Sequence, residues 1–126
     1  MIGYVMLGTN DLERAVKFYD EVLALLGGER FMETPQFVAW RTSEQSPGVA
    51  VTKPHDGNPA TAGNGTMVSL HAGTPEKVQA IHARALESGG TDEGGPGRRM
   101  GNFYGAYFRD LDGNKLATFC FVQDEE

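Results

Sequence analysis

The stretch Phe103–Cys120, FYGAYFRDLDGNKLATFC, decides the fold. An aromatic run is followed by the polar segment Asp110–Asn114 and then by a second apolar run. Gly113, directly after Asp112, supplies the positive φ that a tight turn between two strands requires. The stretch therefore predicts a β-hairpin that closes the C-terminal half of the chain.

The residues before this hairpin predict a strand, then a helix, and then one further strand. Residues 66–72 form an apolar run, and Thr74 with Pro75 is typical of a helix N-terminus. Gly89 marks the end of this helix. A glycine-broken strand is expected between residues 91 and 101.

The N-terminal half repeats this order. Residues 2–8 predict a strand, and Asn10 with Glu13 resembles a capping box that begins a helix. Apolar residues follow at helical spacing as far as Gly27. Three short β-rich runs come next, at 29–33, 36–42 and 48–53.

Strand, helix and three strands thus occur twice, about 63 residues apart, as in an internal duplication. We predict an α+β fold of two βαβββ modules, 1–54 and 66–123, in one compact domain. The linker is 55–65, and 124–126 form an acidic tail. Each module would cover one face of its sheet with a helix. Two such sheets side by side would form a cup-shaped mixed sheet with the helices on its outer face.

Composition narrows the function classes. The net charge is −6, half of it from the acidic tail, and lysine and arginine are scattered over the sequence. This pattern argues against a nucleic-acid partner, which needs a clustered basic face. No apolar run approaches the roughly 20 residues that cross a bilayer, so no membrane partner is expected. A single cysteine excludes an intrachain disulfide framework and predicts a cytoplasmic protein.

Three motifs together carry a family resemblance: Asp11-Leu12, Phe18-Tyr19 and the turn Arg109–Asn114. With them, the chain from Ile2 to Val122 resembles the vicinal-oxygen-chelate superfamily. That family includes glyoxalase I, the extradiol dioxygenases and the bleomycin-resistance proteins. The resemblance implies a homodimer and a ligand cup, which in the metalloenzymes holds a divalent ion.

The same resemblance places the usual metal ligands at or near Tyr4, Met67 and Ala117. A neutral phenol, a thioether and a methyl group do not replace imidazole, carboxylate or thiolate ligands. We therefore predict that the metal site of the family is lost and that the protein has no cofactor.

Strand alternation and the resemblance predict an apolar, aromatic cup. The residues expected to line it are Tyr4, Met6, Met67, Ser69, His71, Phe103, Tyr107, Ala117 and Phe119. His71 is the one histidine that we retain as a site candidate, because His82 borders the buried face of its helix. Cys120 has the opposite strand parity to Phe119 and is expected to be a buried, inert thiol. Arg98-Arg99 would either hold an anionic ligand group at the rim or form a solvated loop pair.

Two hypotheses follow for function. The first is a metal-independent protein that binds a small aromatic or amphipathic molecule in the cup. The alternative is a lyase, isomerase or dioxygenase, either with a displaced metal site or with His71 or Tyr107 as general base. A third interpretation is a dimeric interaction module whose cup is filled by its own side chains.

Overall fold

A computed structural model describes residues 1–123 of the chain and shows the predicted duplication. The predicted acidic tail, 124–126, lies outside the described residues. The first module has the elements β1 (Tyr4–Gly8), α1 (Leu12–Ala24), β2 (Glu29–Glu33), β3 (Phe37–Arg41) and β4 (Gly48–Thr52). The second has β5 (Val68–His71), α2 (Pro75–Glu87), β6 (Thr91–Arg98), β7 (Phe103–Arg109) and β8 (Lys115–Phe121). The prediction of an α+β fold built from two βαβββ modules is confirmed.

The two modules form separate four-stranded sheets with the same strand order. Sheet 1 runs β1-β4-β3-β2, and sheet 2 runs β5-β8-β7-β6. In each sheet the first and last strands of the module pair in parallel, and the other pairs are antiparallel. This shared topology is the structural form of the repeat seen in the sequence.

The start of α1 differs from the prediction by one residue. The N-cap is Asp11, whose extended backbone lets its side chain accept a hydrogen bond from the Arg14 amide at 3.1 Å. The prediction of Asn10 as the cap was wrong, because Asn10 instead binds the linker. Its side chain accepts from the Ala60 amide at 2.7 Å and donates to the Ala60 carbonyl at 3.2 Å.

Helices α1 and α2 pack against each other, α1 also on sheet 1 and α2 also on sheet 2, and they give the two sheets a common core. Tyr19 packs on Trp40 of sheet 1 with the ring centroids 5.7 Å apart. The adjacent Phe18 packs on Phe108 of sheet 2 at 6.3 Å. One cluster of buried side chains therefore includes the helix-facing residues of both sheets, among them Leu7 and Leu116. The opposite face of each sheet, which we call its open face, points away from this core.

A buried carboxylate fastens the second module to α1. Asp110, at the start of the turn predicted from the sequence, accepts a hydrogen bond from the Tyr19 hydroxyl at 2.6 Å. The same carboxylate accepts from the amides of Asp112 and Asn114 and from the Asn114 side chain, each at 2.9 Å. Burial, and next to it the charge of Asp110, raises the pKa of Tyr19 well above its ordinary value, so that the hydroxyl remains a donor.

The rest of this turn binds the end of β1. Asp112 accepts from the Thr9 hydroxyl at 2.6 Å and from the Asn10 amide at 2.9 Å. The side-chain amide of Asn114 donates to the Gly8 carbonyl at 2.9 Å. The Asp110–Asn114 turn is thus a polar contact between the halves as well as a hairpin connection.

Neither helix of the described chain is long and apolar enough to cross a membrane.

We predict that Asp110→Ala lowers the free energy of unfolding by about 3 kcal/mol, because it leaves buried donors of Tyr19 and Asn114 without an acceptor. Urea denaturation measures the change. Asp56→Ala is the matched control, since Asp56 is exposed in the linker and accepts a hydrogen bond from the Asn58 amide; it should change the free energy by no more than about 0.5 kcal/mol. Equal stability of the two variants would contradict the role given to Asp110.

Candidate functional site

The open face of sheet 1 has a floor of small residues with bulky side chains around it. The strand register places Met6 beside Ala50 and Ala50 beside Ala39. Both alanines are buried, although the helix lies on the other face, because their larger neighbours cover them. Tyr4 and Met6 stand at the β1 edge with exposed fractions of 63% and 43%.

A β-bulge adds residues that the sequence analysis missed. The pairing of β2 with β3 shifts between Arg30 and Met32. The Phe31 ring consequently lies across Gly48, where a side chain would come within 3.1 Å of it. The Arg41 guanidinium stacks on Phe31, 4.2 Å from the ring centroid. Phe31, Met32 and Arg41 belong to this face, but the simple alternation of strand residues does not predict a bulge.

The open face of sheet 2 carries a cluster of aromatic rings centred on Phe119. Phe103 stacks on Phe119 at 5.3 Å with nearly parallel planes, and Phe121 meets it edge-on at 5.7 Å. His71 is also edge-on to Phe119, at 4.9 Å. Gly105 is required for the stack, because a Cβ there would lie 2.8 Å from the Phe103 ring. Phe121 is 60% exposed, so the cluster is open to solvent.

Beside the cluster, Ala117 forms a small floor between two polar neighbours. It pairs with Ser69 on one side and with Tyr107 on the other. Ala117 is buried, Tyr107 is half-buried, and Ser69 is exposed, as is Met67 just before β5. This end of the face offers two hydroxyl groups next to an apolar surface.

The structure therefore divides the predicted site residues into two sets. Tyr4 and Met6 lie on sheet 1, and the other seven lie on or next to sheet 2. Within residues 1–123 every aromatic contact of these open faces stays inside one sheet. Ser69 and His71 of the second set line one cavity with Ile2 and Gly48 of the first module.

The residues present do not fit a metal of the kind that the resemblance implies. The expected ligand positions hold Tyr4, Met67 and Ala117. Over the described range, no three histidine, cysteine, aspartate or glutamate side chains converge as a metal-binding group. His82 is buried on α2, and its Nε2 lies 3.0 Å from a carboxylate oxygen of Asp92.

Cys120 is buried on the helix side of β8, as its strand parity predicts. It packs with Val78 of α2 and Ala106 of β7. Burial, with a smaller contribution from the charge of Glu76, raises the pKa of the Cys120 thiol. Both effects disfavour the thiolate, as expected for a buried thiol.

With this geometry established, comparison with known proteins identifies the family. Residues 1–118 match the family model of the Glyoxalase/Bleomycin resistance protein/Dioxygenase superfamily. The chain belongs to this superfamily. The match covers both modules and confirms the resemblance drawn from the motifs.

Solved structures of this superfamily share the fold across nearly the whole chain. A glyoxalase/bleomycin resistance protein from Albidiferax ferrireducens T118 is 38% identical, with 97% of this chain and 99% of that one covered and a TM-score of 0.88. A family enzyme from Burkholderia phytofirmans PsJN is 19% identical, with coverages of 95% and 98% and a TM-score of 0.78. A lactoylglutathione lyase from Agrobacterium tumefaciens is 22% identical, with coverages of 95% and 92% and a TM-score of 0.69. No match was found among curated proteins.

We predict that Cys120 reacts with Ellman's reagent only after unfolding, because only the exposed thiolate attacks the reagent. Labelling of the native protein should be slower than labelling in denaturant by at least about 100-fold. The denatured protein itself is the control for reagent and stoichiometry. Rapid, complete labelling of the native protein would contradict the burial of this thiol.

Proposed function

We propose that the protein is a metal-independent homodimer that binds a small aromatic or amphipathic molecule. The ligand would lie between the open face of sheet 1 in one subunit and the open face of sheet 2 in the other. Tyr4 and Met6 would line one wall. The Phe119 cluster, with Ser69, His71, Tyr107 and Ala117, would line the other.

The exposed apolar faces support a dimer. Tyr4, Met6, Met67 and Phe121 each expose over two fifths of their surface in the single chain. Contiguous apolar surface of this kind marks a site of association or ligand binding. Each face alone gives only one wall of a cup, whereas ligand pockets enclose most of their ligand.

The single observation that carries the binding function is the Phe119 cluster. Four rings, those of His71, Phe103, Phe119 and Phe121, form a surface on which a planar molecule would stack at favourable aromatic distances. A binding protein needs no acid–base pair. His71 and the Tyr107 hydroxyl would fix the orientation of the ligand by hydrogen bonds.

The enzyme alternative receives less support from this geometry. Proton-transfer catalysis requires a titratable group positioned against the substrate and generally an orienting partner. The aromatic neighbour of His71 is Phe119, and no carboxylate within the described range lies within salt-bridge distance of His71. We therefore assign His71 and Tyr107 to ligand orientation. We also propose a cytoplasmic location, where the one cysteine remains reduced.

We predict that the protein binds N-phenyl-1-naphthylamine, a neutral probe that fluoresces in apolar sites. Phe119→Ala should weaken binding by about tenfold, because it removes the ring at the centre of the cluster. Phe119→Leu, which keeps the bulk but loses the stacking, should give an intermediate affinity. Fluorescence titration measures each dissociation constant.

Lys17→Ala is the control for this titration. Lys17 is exposed on α1, which packs on the opposite face of sheet 1 from the open face. Its replacement should leave the affinity unchanged. The proposal is overturned if the wild-type protein does not bind the probe, or if Phe119→Ala folds normally and binds it as tightly as the wild type.

A further inference from the structure

Two cationic side chains flank Tyr107 on the open face of sheet 2. The Arg99 guanidinium carbon lies 5.4 Å from the ring centroid, and the Lys115 ammonium nitrogen lies 5.5 Å from it. They come from opposite sides of β7, since Lys115 begins β8 and Arg99 follows β6. The result is a positively charged end to an otherwise apolar and aromatic face.

The glycine-rich run of β6 gives Arg99 its place. Side chains at Gly94 and Gly97 would lie 3.3 Å and 3.1 Å from the guanidinium nitrogens. Because these glycines have no side chains, the guanidinium can lie over β6, where it donates to the Gly95 carbonyl. The adjacent Arg98 turns elsewhere and donates to the Gln123 carbonyl at 2.7 Å. Only the second arginine of the pair thus joins the open face.

The charges at this end are not balanced by the protein. Arg109 lies directly across from Lys115, and like charges in that position disfavour the sheet. Arg109 is paired with Glu93, but in residues 1–123 neither Arg99 nor Lys115 has a carboxylate within salt-bridge distance. An anion placed here would offset the repulsion between these neighbouring cations.

The structure also provides space for such an anion. A cleft of about 540 Å³ lies between residues 62–67 and the side chains of Arg109 and Lys115. The Lys115 ammonium group, which lines this cleft, also lies beside the Tyr107 ring.

We propose that Arg99 and Lys115 form a subsite for an anionic group, so that the ligand is an aromatic acid rather than a neutral aromatic molecule. The inference rests on the proposed function and specifies its ligand class. The aromatic part would stack near Phe119. The carboxylate or phosphate would lie against Lys115, with the planar guanidinium of Arg99 presenting paired donors.

Two probes with the same aromatic skeleton test the subsite. 1-Anilinonaphthalene-8-sulfonate carries a sulfonate, whereas N-phenyl-1-naphthylamine does not. The wild-type protein should bind the sulfonate about tenfold more tightly than the neutral probe. The double variant Arg99→Gln/Lys115→Gln should lose that preference and keep its affinity for the neutral probe. Arg98→Gln, which removes the neighbouring cation, should retain the preference.

The outcomes separate this inference from the proposed function. If the neutral probe binds but the double variant keeps the preference for the sulfonate, or the wild type has none, the subsite is wrong and the pocket stands. If neither probe binds the wild type, both fail. Displacement of the sulfonate by benzoate assigns a carboxylate, and displacement by phenyl phosphate assigns a phosphate. Displacement by neither overturns the subsite.

Discussion

The relation of the two modules depends on the buried Asp110 carboxylate. It binds the Tyr19 hydroxyl of α1 and three donors of its own turn, so one side chain fixes both the hairpin and the docking of the halves. A buried carboxylate is tolerable only when such donors surround it, because desolvation of the charge is costly. Three of these bonds hold the turn in shape, and the fourth, from Tyr19, joins the turn to α1.

This arrangement determines where a site can form. Since α1 packs on Trp40 with one side and on Phe108 with the other, the helix-facing sides of both sheets are used for the core. The open faces are what remains, and they are rich in aromatic and methionine side chains. The proposed composite site uses these two faces as its walls, one from each subunit.

Local patterns predicted the elements well because hydrophobic periodicity and turn residues are local properties. The hairpin of Phe103–Cys120, the cap at Thr74 and the buried Cys120 all follow from neighbouring residues. The cap of α1 was misplaced because Asn10 and Asp11 are both good caps, and only the distant Ala60 shows which of them is occupied elsewhere. The bulge that turns Phe31 over Gly48 also breaks the alternation on which strand faces are predicted.

The packing of the two modules could not be predicted from local patterns. The strand pattern does not show whether the cup forms within one chain or between two chains. The deciding contacts, such as Phe18 with Phe108, join residues far apart in sequence. The position of the Arg99 side chain was left open for a similar reason, since it depends on the space that Gly94 and Gly97 of β6 provide.

The composite site is best tested by a native mass spectrum of protein purified without chelator and without a metal-affinity column. We expect a dimer of the 13.6 kDa chain without bound metal, either bare or with an organic adduct of small-molecule mass. A monomer would contradict the composite site. A dimer carrying one divalent ion per subunit would contradict the metal-independent pocket and would support the enzyme alternative.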